Sequence, residues 1–493
     1  MKKKLTFQHS LVWFRNDLRV TDNPALTSAC QRSEKVSAVF FVTRKQWQTH
    51  HLSAHRESFT YQALASLEQS LAKLGIPLLI KECDWFSEIP AIIAEQLDSL
   101  SCQALYANAE YALNEKKRDD KIMAMCSAKN IHVSYSHGNV IIPPGEIVSL
   151  AKTPFKIFTP YKKAWLNRLK QFDRQPLPIP AAISNSRTPK NSKNNLLINQ
   201  KINALEDQTA DATTQEDKML HRELVASESA AYKHLQAFIE DAIEKYNIDR
   251  DIPALSGTSL LSPYLTLGLI SPRACLNAAR MHNQGQLYDG QQGIDTWISE
   301  LIWREFYTHL LAANSDISKH KALRPETERV PWRHCKKDFS AWSEGRTGYP
   351  LVDAAMHQLN TTGWMHNRLR MVTATFLTKY LLIDWRWGEQ YFMENLIDGH
   401  FAANNGGWQW CASTGSDAAP YFRILSPIRQ AERFDKEAIF IKNQLPQLKI
   451  VPAKIIHQPG HPELLAKGYP KPIVDLKEGK ERCLNAFKFA FDK

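Results

Sequence analysis

The chain has 493 residues, 43% of them hydrophobic and 23% charged, with 62 Lys and Arg against 51 Asp and Glu for a net charge of +11. That length allows more than one domain with its own core, and no run approaches the roughly 18 apolar residues that a membrane span needs. Eight scattered cysteines with no C-x-x-C pair argue against a disulfide framework or a structural zinc site. The apolar run after the basic start breaks at Arg15, too soon for a secretory signal, so a reducing, cytoplasmic setting is expected.

The positive balance suits a polyanionic partner, because each phosphate neutralised releases counterions. Over residues 1–140, "LVWFRNDL", "VSAVFFVT", "IPLLIKE", "ALYAN" and "IHVSYSH" read as strands, separated by amphipathic segments. In one of these, residues 55–75, Leu64, Leu67, Leu71 and Leu74 recur at helical spacing and Gly75 stands at the C-cap position. The alternation predicts a doubly wound, parallel α/β domain. No G-x-G-x-x-G follows the first strand, so the usual Rossmann dinucleotide site is not expected there. Residues 141–231 read as an interdomain connection whose stretch from about 176 onward is polar, Pro- and Asn-rich and poor in aromatics. Residues 232–493 read as helical, and nine of the thirteen Trp fall after residue 290, so this second domain must house most of the large aromatics.

Four motifs lie in the helical part. In "GTSLLSPYLTLGLISPRACL", 257–276, Gly257, Thr258 and Ser259 precede Ser262-Pro263, a loop that suits either a diphosphate or a plain helix cap. In "WISELIWREFYTHLL", 297–311, Trp297, Glu300, Arg304 and Tyr307 share one helix face with Trp303 at its edge. A simple Glu300–Arg304 pair on a core helix is the alternative. "GWMHNRLRMVTATFLTKYLL", 363–382, places Asn367 with Met371 and His366 with Arg370 on adjacent faces, as a pocket wall or as satisfied core polar groups. In "LIDGHFAANNGGWQW", Asp398, Gly399, Asn404, Asn405, Gly406 and Gly407 read as a turn whose backbone can approach a flat ligand, with Gln409 setting the separation of Trp408 and Trp410.

Taken in order, "LVWFRNDLRVTDNPAL", "GTSLLSPYL", "ELIWREFY", "GYPLVDAAM", "GWMHNRLRM" and "NGGWQWCASTGSDAAPYFRILSP" resemble the photolyase/cryptochrome family over nearly the whole chain except about 181–231. The resemblance implies an α/β antenna domain joined to a helical domain that binds flavin adenine dinucleotide (FAD). Carried over, Tyr246, Thr258, Ser259, Leu260, Leu261 and Ser262 lie on the diphosphate side. Trp297, Glu300, Arg304, Asn367, Arg370, Asp398, Gly399, His400 and Asn404 surround the flavin and adenine. A neutral Asn404 amide suits flavin N5, and Arg370 can pair with Asp398.

The branch resembled is that of the class I bacterial cyclobutane pyrimidine dimer photolyases with a folate antenna. Glu300, Trp303, Asn367, Met371 and Trp410 match that branch, whereas (6-4) photolyases have His at the positions of Asn367 and Met371. Plant-type cryptochromes tend to have Asp at the position of Asn404, and the DASH group a Tyr for one pocket Trp. A cryptochrome-like photoreceptor without repair is the rival reading, and the chain end "KFAFDK" carries no long signalling tail.

The implied partner is UV-damaged DNA, bound by a monomer without a membrane or a metal. Arg250, Glu300, Trp303, Arg304, Tyr307, Asn367, Arg368, Met371, Trp410, Arg423 and Gln430 would contact the strand. Glu300, Asn367 and Asn404 would act in catalysis, with Trp332, Trp385 and Trp408 as an electron relay. Asn114, Glu115 and Lys319 imply methenyltetrahydrofolate as antenna, with a deazaflavin or an empty site as alternatives. Three departures stand out: His400 for a common acid, Leu260 for an Arg of some relatives, and Ser318 for a Cys.

Overall fold

The computed structural model describes residues 5–171, 175–183, 198 and 224–492. Its sheet has five parallel strands, β1 (Phe7–Phe14), β2 (Ser33–Thr43), β3 (Leu78–Cys83), β4 (Ala104–Asn108) and β5 (His132–Ser136), in the order β3-β2-β1-β4-β5. In register, Val12 faces Ala38 on β2 and Tyr106 on β4. All five runs expected as strands form, but the first ends at Phe14. The Asp17 carboxylate accepts the Arg15 N–H at 2.6 Å, which turns the chain out of the ladder.

Alternate residues serve two cores, as a doubly wound sheet requires. Val12, Phe14, Ala38, Phe40 and Tyr106 face one side, and Leu11, Trp13, Val39, Phe41 and Leu105 face the other, under the helices Ile89–Ser99 and Leu113–Ala128. The helix expected over 55–75 spans Ala54–Lys73. Ser53 caps its start, and Gly75, at φ +74°, follows its end. Because β1 has β2 on one side and β4 on the other, the chain reverses direction between them, and a crevice opens at their C-terminal ends.

The expected connection of 141–231 includes a docked helix, Phe158–Lys170, whose Tyr161, Trp165 and Leu169 are buried. Glu305, on the long helix Gln292–Ala313, is 1% exposed and accepts from Ile141 N–H, Ile142 N–H and Trp165 Nε1–H at 2.6, 2.8 and 2.7 Å. Most of the polar stretch from 176 to 231 lies outside the described residues. The chain from 228 onward is helical. The helix expected over 363–382 starts at Asn367, since Gly363, at φ +68°, ends the helix before it.

One expectation fails. Asn404 to Gly407 form no turn; they sit inside the helix Phe401–Ala412. Two glycines cost such a helix about 1 kcal/mol each relative to Ala, and packing offsets this. A Cβ on Gly406 would overlap the Tyr307 ring, so the glycine lets the two helices cross closely.

The two domains meet at the loop after β1. Arg273 donates to both Asp22 carboxylate oxygens at 2.9 to 3.1 Å and to His137 O at 3.0 Å. Arg19, fully buried, donates to Gly268 O at 2.8 Å and Gly138 O at 2.7 Å. A side chain on Gly268, at φ +66°, would overlap the Asn16 carbonyl. Leaving a buried charge without its partner costs about 3–5 kcal/mol, and replacing both partners by apolar groups recovers much of it. Asp22→Ala is therefore expected to lower the denaturant midpoint strongly and Asp22→Ala/Arg273→Met to restore part of it; an unchanged midpoint in Asp22→Ala would contradict this joint.

Candidate functional site

The long helix Gln292–Ala313 and the helices Asn367–Thr375 and Phe401–Ala412 supply the candidate site. Trp297 is buried against Phe238, with ring centroids 5.2 Å apart. Trp303 is half-buried and lies flat on Phe158, with centroids 3.6 Å apart and planes 7° from parallel. Tyr307 lies 5.6 Å from Trp303 and packs on Gly406.

Glu300 and Arg304 stand one turn apart but do not pair. Glu300 Oε1 accepts from Arg250 Nη1 at 2.6 Å, whereas Arg304 donates to Asn139 O at 2.8 Å and Leu265 O at 3.2 Å. Arg304, expected on both the flavin and the DNA side, thus lines the interdomain cavity. The Arg250 guanidinium also lies 5.1 Å from the Tyr246 ring centre.

On the second wall Asn367 is exposed, and Arg368 pairs with Asp251 at 2.5 Å while lying 4.5 Å above the Phe434 ring. Adjacent residues, Arg250 and Asp251, therefore tie this helix to the Glu300 helix. His366 caps the helix, accepting from Arg368 N–H at 3.1 Å, and burial pushes its imidazole down to about 4, so it is neutral. Met371 and Trp410 are half-buried and joined through Cys411, whose thiol lies 3.9 Å from Met371 O. Arg423 is exposed, while Gln430 Oε1 and Arg368 Nε are buried with no hydrogen-bond partner among the described residues.

Arg370 and Asp398 form an ion pair at 2.8 Å. Asn404 Nδ2 donates to Glu389 O at 2.9 Å, which fixes the amide and leaves Oδ1 as an acceptor. Three residues on, along the same helix face, a Cβ at Gly407 would meet nothing within 4 Å. A neutral amide acceptor, a guanidinium–carboxylate pair and open space along one helix face fit a flavin ring.

Gly257 packs on Asp249, where a Cβ would overlap, and so sets the loop that follows beside the short Tyr246–Asp249 helix. In that loop Thr258 and Ser259 are half-exposed, Leu260 adopts φ +49°, Leu261 is buried and Ser262 is exposed. His400 caps the helix Phe401–Ala412, accepting from Ala403 N–H at 3.4 Å, and burial holds its imidazole down at about 3. The Gly399 carbonyl accepts from Arg56.

Trp408, 2% exposed, lies against Gly388, where a Cβ would overlap its ring. Gly388 is one turn from the buried Trp385 on the helix Trp385–Asn395. Trp332 is half-buried, and its neighbour Arg333 donates its backbone N–H to Leu382 O at 2.7 Å. Trp385 and Trp408 are buried in one hydrophobic core, and Trp332, half-buried, packs against it. Trp408 also has Phe392 at 4.9 Å and Trp342 at 6.1 Å.

A cavity of about 450 Å³ lies between the C-terminal ends of β1 and β4 and the helical domain, lined by Trp13, Arg15, Phe41, Trp47, His50 and others. Asn114, Glu115 and Ser318 line it as well. Lys319 does not; it is exposed and pairs with Asp316 at 3.0 Å. Burial and the neighbouring Glu110 push the Glu115 carboxyl up to about 7, and its Oε2 is buried with no hydrogen-bond partner among the described residues. Asn114 Nδ2 lies 3.1 Å from His50 Nε2. A buried carboxyl with one oxygen paired to His50 and the other without a partner among the described residues, beside an amide, fits a neutral heterocycle that offers both donor and acceptor groups.

Several residues here carry no sequence signal. Phe158 looks like one apolar position of an amphipathic helix. Gln409, read as a spacer, is buried and donates to Asn405 Oδ1 at 2.9 Å. Asn405 in turn donates to Glu389 Oε1 at 2.9 Å, and Glu389 pairs with His320 at 2.9 Å. The Asn-Asn pair was the only hint of this network. Among the described residues, no group of three His, Cys, Asp or Glu could hold a metal ion, and no helix is long and apolar enough to cross a membrane.

A model described as "DNA photolyase" matches residues 10–181, and one described as "FAD binding domain of DNA photolyase" matches residues 297–489. The chain is 42% identical to the deoxyribodipyrimidine photo-lyase of Escherichia coli (strain K12), over 97% of this chain and 98% of that one. It is 40% identical to that of Vibrio cholerae, over 97% and 99%. Among solved structures, a bacterial class III photolyase from Agrobacterium tumefaciens superposes with a TM-score of 0.84 at 31% identity, over 99% of each chain. An archaeal photolyase from Sulfolobus tokodaii with two FAD molecules gives 0.80 at 28%, over 98% of this chain and 100% of that one.

The Glu389 carboxylate raises the His320 pKa above its ordinary 6.5. The ion pair is therefore complete below that value and is lost as pH rises through the raised pKa. In Glu389→Gln the His320 NMR titration midpoint is expected to fall; a midpoint that stays put would contradict the pairing.

Proposed function

The chain belongs to the photolyase/cryptochrome family, and from that premise we propose that it splits cyclobutane pyrimidine dimers in UV-damaged DNA under blue light. The observation that carries this reading is the aromatic face of the long helix, where Trp303, flattened on Phe158, stands with the Glu300–Arg250 pair; this face would form one wall of a cleft for the lesion. A dimer must leave the base stack to enter such a cleft, and photolyases are among the established base-flipping enzymes. Extrusion is cheapest for a damaged pair, which stacks and pairs poorly.

Trp303 and Trp410 would stack on the extruded bases, a contact worth about 1–3 kcal/mol per base. Arg250, Arg368 and Arg423 would hold backbone phosphates, which orient the strand without reading sequence. Glu300, engaged by Arg250, is an acceptor and reads an N–H of the dimer. Asn367, exposed at the start of its helix, donates to a dimer carbonyl as charge develops there.

FAD would be held by Trp297, Arg370, Asp398 and Asn404, with Tyr246, Thr258, Ser259 and Ser262 on the diphosphate side. When bound and fully reduced, it supplies the light-driven electron that opens the cyclobutane ring and regains it afterwards. Asn404 Oδ1 would accept a hydrogen bond from a ring N–H, an uncharged contact that favours the reduced form. Trp408, Trp385 and Trp332 would conduct an electron inward from the surface. Methenyltetrahydrofolate is the antenna that the Asn114–Glu115 wall suits, and its absorption in the purified protein distinguishes it from a deazaflavin.

Trp408→Phe is expected to abolish light-driven reduction of oxidised cofactor while chemically reduced protein still splits dimers. Photoreduction that survives would contradict the relay, and a chemically reduced variant that leaves dimers intact would contradict the separation of electron supply from repair.

A further inference from the structure

Residues 147–171 hold six basic residues and no acidic one. Their first part is an ordered hairpin. Val148 bridges Pro154 in antiparallel fashion, Ser149 N–H donates to Thr153 O at 2.8 Å, and Lys152 N–H donates to Ser149 O at 2.9 Å. The side chains of Ser149 and Thr153 add a hydroxyl–hydroxyl contact at 2.8 Å. At the tip Leu150 is wholly in solvent, at 107% relative exposure, and Lys152 and Lys156 are exposed with no carboxylate partner among the described residues.

The hairpin is anchored to the cleft. Four residues lead from Pro154 to Phe158, a reach of at most about 14 Å. Phe158 lies flat on Trp303, and its N–H donates to Asp417 Oδ2 at 2.9 Å, in the segment that leads to Arg423. Duplex DNA carries one negative charge per roughly 1.7 Å of its axis, so a dimer seated at Trp303 brings the backbone of flanking base pairs within reach of this hairpin.

We propose that the 148–157 hairpin is a further DNA-contacting element, in which Lys152 and Lys156 meet phosphates of the duplex flanking the lesion and Leu150 packs against sugars in the groove. It rests on the repair reading for its location. Charge supports this occupant, because a cation-only segment beside the cleft attracts a polyanion and has no acid to repel it. Hairpin rigidity supports it too, since little conformational freedom is left to lose on contact.

The test measures duplex affinity across a salt series for the full-length flavoprotein, on dimer-containing and intact DNA. Lys152→Ala/Lys156→Ala is expected to make the slope of log K against log salt shallower by about 1.8, the loss of two phosphate contacts. Leu150→Ser is expected to weaken duplex binding severalfold with the slope unchanged. An unaltered flavin absorption spectrum shows that each variant is folded. A wild-type slope in the double lysine variant would overturn the proposal. The slope is read on intact duplex as well, so it decides the hairpin's role separately; equal wild-type affinity for damaged and intact DNA would count against the repair reading instead.

Discussion

The buried Asp22–Arg273 contact is the constraint on which the remainder of the structure depends. Asp22 follows β1 and Arg273 opens a helix of the second domain, so a single bidentate pair fixes how the sheet meets the helices. Arg19 and Gly268 complete the joint through backbone carbonyls. Two consequences follow. The crevice at the ends of β1 and β4 becomes an interdomain cavity, and Arg304 is drawn into it by Asn139 and Leu265. A buried ion pair contributes little net stability, but one left half-broken is costly, which makes the relative placement of the domains specific.

The helix Phe401–Ala412 shows how one element can serve several purposes. Asn404 and Gly407 share the face toward the proposed flavin, Gly406 receives Tyr307, Trp408 turns toward Gly388 and the core, and Trp410 is half-buried. Helical spacing separates these directions without any loop. Rigidity of this kind suits electron transfer, where the protein's part is to fix positions.

Much of this was legible in the residues. Strand and helix alternation up to residue 136 follows from period-two and period-3.6 patterns, and the sheet forms in the doubly wound order. The Arg370–Asp398 pair could be foreseen from the residue types, and it is formed. What was not legible depended on partners distant in sequence. Asn-Asn-Gly-Gly reads as a turn by local preference, but Tyr307 and Glu389 hold it helical. Glu300 and Arg304 have ideal spacing to pair, yet each finds a better partner on another segment. Lys319 sits next to a cavity residue but turns to Asp316. The stack of Phe158 on Trp303 joins residues 145 positions apart, which no local pattern reports.

The central claim is that this cleft, with a reduced flavin behind it, reverses dimer formation. It is tested most directly by mixing the fully reduced flavoprotein with an oligonucleotide bearing one cyclobutane thymine dimer and counting dimers before and after blue light. The account predicts loss of the dimer and recovery of both thymines in the light, with no change in the dark. A dimer that stays intact under illumination, with the flavin demonstrably reduced and the DNA demonstrably bound, would contradict it.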